Sequence, residues 1–576
     1  MRGHAAPARL PLAIRLGANR WDLLAVALLL GAIALLTLAA QQMRAPLGTL
    51  EASAISLDPG QLPGYALRTT VRMFAAMGAS LVFTFVVGTL AARNARARSV
   101  LMPLLDVLQS VPVLGYLSFT VVLFLSLFPG SVLGAELAAI FAIFTSQVWN
   151  MTFSFYQALR TVPSDLSDAA RSFRLSAWQR FWHLDVPFAI PGLVWNMMMS
   201  MSGGWFFVVA SEAISVGAHT FPLPGIGSYV AVAIADRDLA AIGWALATML
   251  VVIVLYDVLV FRPLVAWSEQ FRPGPLRPEG AARSWLLSAW RRTELLRRVD
   301  ARARRLLRTA TMGRFERLWR LAAPSRRWGA AARGIAWYAT MLALAAAGAW
   351  YALRLFGAFD AAEWLRVLGL GGVTLARVLV LTALALLVWV PVGVAIGLRP
   401  RWTARVQPLV QFLAAIPANL LFPLAVFAIV RLHLNPEIWL SPLIILGAQW
   451  YILFNVIAGA SAIPQDLLEI ARSLQVKGWL RWRTVLLPGI APYAVTGAIT
   501  AWGGASNATI VAEAVHWGEQ SIVAHGLGAY IAVNTEAGDY ERIALGVAMM
   551  CAFVVAFNRL LWRPLYDATE RRFRLQ

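Results

Sequence analysis

The chain has 576 residues, 59% of them hydrophobic and only 14% charged, with a mean hydropathy of +0.66. A soluble protein of this length keeps a charged surface around its core, so the balance points to a bilayer. The formal net charge of +21 reads as arginine held in cytoplasmic loops against an anionic leaflet, and a nucleic-acid partner is set aside.

In chain order, a basic N-terminus precedes the apolar run Leu23 to Ala40. The basic region is long, no small-x-small cleavage site follows, and Gln41-Gln42-Met43-Arg44 looks like an interface. The run therefore reads as an uncleaved first transmembrane helix, near 22–40, and not as a signal peptide. Apolar runs of about 18 or more residues place further helices near 71–91, 108–128, 133–158, 187–214 and 239–261. The second half gives 335–356, 373–398, 408–431, 437–460, 488–514 and 541–562. The expectation is an all-α integral membrane protein of about 12 spans, with repeats at 1–264 and 334–576. Arg2, Arg9, Arg15 and Arg20 put the N-terminus in the cytoplasm, and an even number of crossings returns the C-terminus there. Counting crossings leaves Arg93, Arg160, Arg180, Arg472 and Arg481 inside and the arginine-poor loops 41–70 and 215–238 outside. The single cysteine, Cys551, lies in an apolar run, so neither a disulfide framework nor a thiolate metal site is expected. The six histidines (His4, His183, His219, His433, His516 and His525) are scattered without metal-ligand spacing.

A polar island occurs twice, at Val162–Pro191 and Ile463–Pro492. Without a gap, Pro163 falls on Pro464, Asp165 on Asp466, Asp168 on Glu469, Ala170 on Ala471 and Arg171 on Arg472. The match continues through Trp149 and Trp450, Glu212 and Glu513, and Gly225-Ile226-Gly227 and Gly526-Leu527-Gly528. Upstream the offset grows by four residues, and Thr69, Arg72, Gly88, Pro103 and Pro112 meet Thr374, Arg377, Gly393, Pro408 and Pro417. Both copies have one predicted orientation, so the repeat is parallel and should pack about a pseudo-two-fold axis normal to the membrane. Between them, 265–333 is dense in arginine, with tryptophan and leucine at roughly helical spacing. It reads as a helix on the anionic inner leaflet, the other reading being a solvated connector.

Each island has the makings of a short amphipathic helix, at about 163–176 and 464–477. Pro163 and Pro464 suit a helix start, and Asp165 and Asp466 lie in the first turn, where the dipole favours a carboxylate. Asp168 and Arg171, like Glu469 and Arg472, are three apart and can pair. Leu166, Ala170 and Phe173, like Leu467, Ala471 and Leu474, form an apolar stripe. A single copy could be an ordinary loop helix resting on its own bundle, but two matched copies suggest a two-fold partner.

The islands resemble the cytoplasmic "EAA" loop of permease subunits of binding-protein-dependent ABC importers. The pattern stands here as Asp168-Ala169-Ala170 leading to Val186-Pro187, and as Glu469-Ile470-Ala471 leading to Leu487-Pro488. Thr69-Thr70-Val71-Arg72, Pro103, Pro112 and Trp149-Asn150 look most like the nitrate/sulfonate/taurine branch. The family's glycine is replaced by Leu175 or Ser176 in the first copy and comes late, as Gly478, in the second, which leaves the shape of the first helix open. The usual member is a single six-helix chain that dimerises, whereas this chain is a fused tandem.

The resemblance implies the type I ABC importer permease fold, with no cofactor or metal of its own. Each island would be a coupling helix docked on one of two ATP-binding subunits, and an extracytoplasmic solute-binding protein would deliver the cargo. No GxxxxGK[ST] motif occurs in the chain, so the chemistry of ATP would belong to those partners and the chain would not be an enzyme. Nitrate, bicarbonate, sulfonates and taurine are the solutes implied, moved across the bacterial inner membrane. The path would run between the two fifth helices. Ser200, Ser202, Gly203, Trp205 and Glu212 line it from one, and Trp502, Gly503, Ser506, Asn507 and Glu513 from the other. For the small residues, plain helix packing is an equal reading, and Glu212 and Glu513 could instead cap an interface. A self-contained secondary transporter is the competing reading, but it leaves the duplicated island unexplained; a membrane enzyme would need an acid or histidine cluster that the sequence does not offer.

Overall fold

The computed structural model describes residues 55–271, apart from 110, 217 and 218, and residues 359–573, with isolated positions between 302 and 357. The expected first helix at 22–40 lies outside the described residues, as do nearly all of the linker and about half of the helix at 335–356. Among the described residues, seven helices are long and apolar enough to cross a membrane, and three bent pairs raise the number to ten if each pair is one span. In the first repeat these are α1 (Leu62–Phe83, continuing to Arg93), α2 (Ala95–Leu108) bent into α3 (Val113–Leu127), and α4 (Val132–Arg160). The short α5 (Ser164–Ser172), the long α6 (Val186–Glu212), α7 (Ile226–Ala235) and α8 (Leu239–Tyr256) follow. The second repeat runs α9 (Ala361–Gly397), α10 (Pro400–Ala415), α11 (Phe422–Arg431), α12 (Gln449–Ser461), α13 (Gln465–Ser473), α14 (Leu487–Ala512), α15 (Leu527–Ala537) and α16 (Tyr540–Phe557).

Proline sets the irregularities. The single helices expected at 108–128 and 408–431 are each broken, and the second bends by 70°. Pro112 and Pro417 sit at the breaks in extended backbone, ψ 119° and 112°, and Ile416 is extended as well, since a proline pushes the residue before it out of the α region. Four other prolines are absorbed without a break. Pro187, Pro263, Pro488 and Pro564 each follow by two residues a π-turn, at Phe181–Asp185, Asp257–Phe261, Trp482–Leu486 and Asn558–Trp562. A proline ring clashes with the carbonyl four residues back, which lies inside the widened turn in every case.

The stretch expected as the outer loop 215–238 is structured. An antiparallel hairpin, β1 (Ala213–Val216) with β2 (His219–Pro222), leads into α7, and β3 (Ala514–Trp517) with β4 (Gln520–Val523) leads into α15. The two repeats share one core, in which Met73, Trp205 and Tyr229 belong to the same cluster as Val378, Ile452 and Trp502. Reciprocal contacts join them. The Asn507 side chain of α14 accepts from the backbone N–H of Val113 at 2.8 Å, capping α3 of the other repeat. From the opposite side, Asn419, at the break before α11, donates to the Phe206 carbonyl in α6 at 3.0 Å. Phe206 is the repeat partner of Asn507, and Asn419 stands one residue past the partner of Val113, so the two contacts lie at matching places in the repeats.

Candidate coupling and translocation sites

The islands fold alike. α5 and α13 each end in a left-handed residue, Arg174 (φ 51°) and Gln475 (φ 52°). The next N–H returns to the helix, from Leu175 to the Ala170 carbonyl at 3.1 Å and from Val476 to the Ala471 carbonyl at 2.8 Å. The loss of the usual glycine in the first copy does not alter this shape. There Ser176 and Gln179 form a reciprocal capping box, while the second copy has Gly478 at φ 58°.

Burial divides the expected apolar stripe. Ala170 and Ala471, joined by Leu468, are buried against their own bundle. Leu166 and Phe173 face outward, as do Leu467, Ile470 and Leu474, with Phe173 78% and Leu474 70% exposed. Asp165 and Asp466 are exposed in the first turns. Asp168 pairs with Arg171, whereas Glu469 and Arg472 stand exposed. Each repeat thus holds its short helix by an alanine and leaves an aliphatic or aromatic side chain, flanked by charge, exposed.

At the far ends of α6 and α14 the glutamates are part of buried ion triads. Arg72 donates in bidentate fashion to Glu136 at 2.6 and 2.7 Å, and to Glu212 at 2.7 Å. The other Glu212 oxygen accepts from the Gly227 N–H at 2.7 Å, and Thr69 accepts from the Ile226 N–H at 3.1 Å. The second repeat reproduces the set. Arg377 donates to Glu513 at 2.7 Å and to Glu437 at 3.0 Å, Thr374 donates to Glu513 at 3.0 Å, and Gly528 N–H donates to Glu513 at 2.9 Å. The glycines are needed for room: a Cβ on Gly225 would lie 2.3 Å from the Glu212 carboxylate, and one on Gly526 2.1 Å from that of Glu513. Glu136 and Glu437 were not singled out from the sequence, although the offset that pairs Pro163 with Pro464 pairs them as well. The triads differ in how the arginine holds the outer acid, by two bonds to Glu136 but one to Glu437, and in their seal. The first is sealed, whereas Glu437 is 38% exposed and also accepts from the His525 N–H at 2.8 Å, where the first repeat has Pro224.

The remaining expected path residues fall into two groups. At the seam between repeats, a Cβ on Gly203 would approach the Tyr451 hydroxyl to 2.8 Å, and Asn507 makes its contact with Val113. Gly503 faces open space, and the buried hydroxyls of Ser200 and Ser202 have no partner among the described residues. The others turn into their own repeats. Trp205 is fully buried edge-on to Tyr256 at 5.8 Å, Trp502 stacks on Phe557 at 4.9 Å, and Ser506 donates to the Trp502 carbonyl at 2.8 Å.

Comparison with known proteins bears on both repeats. The profile of the family described as "Binding-protein-dependent transport system inner membrane component" matches twice, at residues 84–270 and 389–575, together more than half of the chain. The chain is 33% identical over 142 residues to the bicarbonate transport system permease protein CmpB of Synechococcus elongatus, covering 25% of this chain and 50% of that one. It is 30% identical over 179 residues to the glycine betaine/proline betaine transport system permease protein ProW of Escherichia coli, 31% of this chain and 47% of that one. Against the nitrate import permease protein NrtB of Synechocystis it is 25% identical over 159 residues, 28% and 53% of the two chains. The chain thus spans about half the length of these curated relatives.

Proposed function

Because the chain belongs to the family of binding-protein-dependent transport system inner membrane components, we propose that it forms both transmembrane halves of an ABC importer, moving a small polar solute with ATP hydrolysed by separate subunits. It is a multi-pass membrane transport component and not itself an enzyme.

The observation that carries the mechanism is the pair of matched helices α5 and α13, whose Phe173 and Leu474 stand 78% and 70% exposed beside charged residues. Exposed large apolar groups rimmed by charge mark interaction sites. Two of them, related by the repeat, fit two ATP-binding subunits, one under each half. The contacts that join each half to the other through Asn507 and Asn419 support a complete pair within one chain. Closure of the ATP-binding subunits would then be passed through α5 and α13 to α6 and α14. The solute would pass at the seam, by Ser200, Ser202, Gly203, Gly503 and Asn507. We assign Glu212 and Glu513 to holding the outer end of each half together, since their carboxylates are committed to Arg72 and Arg377. The neutral lining suits a small anion such as bicarbonate, nitrate or a sulfonate, and equally a zwitterion such as taurine or a betaine.

The test is uptake into vesicles carrying the chain with its ATPase and binding protein. Radiolabelled solute should accumulate with ATP and continue when the proton gradient is collapsed. Accumulation driven by a proton gradient without ATPase would make the chain a secondary transporter instead.

A further inference from the structure

Because the chain is duplicated, each cavity in one repeat can be compared with the same place in the other. In the second repeat a groove of about 310 Å³ runs between α9, α14 and the segment around Trp562, with Arg483 at one end. The equivalent place in the first repeat is filled. Phe85, Trp182, Ile190, Leu193 and Met197 stand where the second repeat has Val390, Arg483, Ala491, Ala494 and Ala498. The ring of Phe85 packs against Phe155, Phe181 and Trp182 with centroids 5.3, 5.8 and 6.3 Å apart. Three lining positions change the other way, Val186 to Leu487, Ala189 to Ile490 and Phe261 to Trp562, but they leave the groove open.

Ala491, Ala494 and Ala498 recur at one-turn spacing and form a smooth stripe along one face of α14. An apolar slot of this size without an occupant forfeits dispersion contacts along its whole lining. Nearby on α9, Leu384, Leu387 and Val388 are exposed, as side chains facing lipid are. At the slot's end Arg483 is exposed on the segment that leads from α13 into α14, a cation for an anionic headgroup to meet. The apolar stretch 335–356 of this chain contains no acidic residue to pair with Arg483.

We propose that this groove holds one anionic phospholipid, its acyl chain along the alanine stripe and its phosphate on Arg483, at a site the second repeat has and the first does not. The experiment is native mass spectrometry of the full chain released from membranes containing phosphatidylglycerol and phosphatidylethanolamine. Wild type should retain one phosphatidylglycerol through activation that strips other lipids. Val390→Phe with Arg483→Trp, which installs the first repeat's residues, should lose it. Arg483→Gln, a milder change, should keep a lipid but abolish the preference for phosphatidylglycerol, which in wild type should be at least tenfold. Equal retention of phosphatidylglycerol by wild type and both variants would overturn the proposal. So would disulfide cross-linking of Ala494→Cys to cysteines introduced in 335–356, which would show the groove filled by the chain itself.

Discussion

At Gly227 a single methyl group would lie 2.2 Å from the Val209 carbonyl oxygen, and at Gly528 2.5 Å from that of Thr509. Neither backbone can yield, because the N–H groups of these glycines are held by Glu212 and Glu513. Gly227→Ala should therefore destabilise the protein by about 1–3 kcal/mol, read as a lower unfolding midpoint in detergent. The arginines allow a sharper test. Removing Arg72 leaves Glu136 and Glu212 buried without their cation, which for a buried pair costs about 3–5 kcal/mol. Arg377→Ala should cost less, since Glu437 is 38% exposed and keeps its bond from His525. Equal losses on thermal unfolding of the two variants would count against this account of the triads. The sequence marked Thr69, Arg72 and Glu212 by their repetition but left open whether the glutamates line a path or cap an interface. The missing piece was Glu136, an acid set among alanine and leucine, whose cost in that setting was itself the signal.

Among the elements, the short helices α5 and α13 were the most legible, since their charge and apolar pattern stands out between long hydrophobic runs. What the pattern could not show is which face meets the bundle. Contact is made by the small Ala170 and Ala471, and the larger Phe173 and Leu474 are left outside. Phe173→Ser with Leu474→Ser should therefore change the stability of the isolated chain by no more than about 0.5 kcal/mol, as at a surface site, while abolishing ATP-driven uptake. A large drop in unfolding midpoint would mean instead that these side chains rest on their own bundle. The membrane helices were legible in position but not in detail. The prolines that break or widen them are visible in the sequence, yet whether a given proline ends a helix, as at Pro112 and Pro417, or is absorbed in a π-turn, as at Pro187 and Pro488, depends on packing. The hairpins at Ala213–Pro222 and Ala514–Val523 were missed because four-residue strands leave no periodicity to read.

For the molecule as a whole, the duplication carried the argument. Two constant offsets predicted a two-fold arrangement, and the cross-repeat bonds of Asn507 and Asn419 obey it. Asn507→Ala removes the cap of α3 and should cost about 0.5–2 kcal/mol on thermal unfolding, the range for a lost helix N-cap. The repeats are nevertheless not identical in structure. One ion triad is sealed and the other reaches the surface, and one has a groove where the other has aromatic rings. Fusion into a single chain permits such divergence, since each half meets only the other and never itself.

The claim that α5 and α13 couple the chain to ATP-binding subunits is tested most directly by affinity capture from solubilised membranes. The comparison is between wild type and a variant with Asp168→Arg and Glu469→Arg, both exposed sites. Wild type should bring down an ATP-binding-cassette ATPase, and the variant should lose it while remaining monodisperse. Absence of an ATPase from wild type in every detergent tried, or its undiminished capture by the variant, would contradict the account.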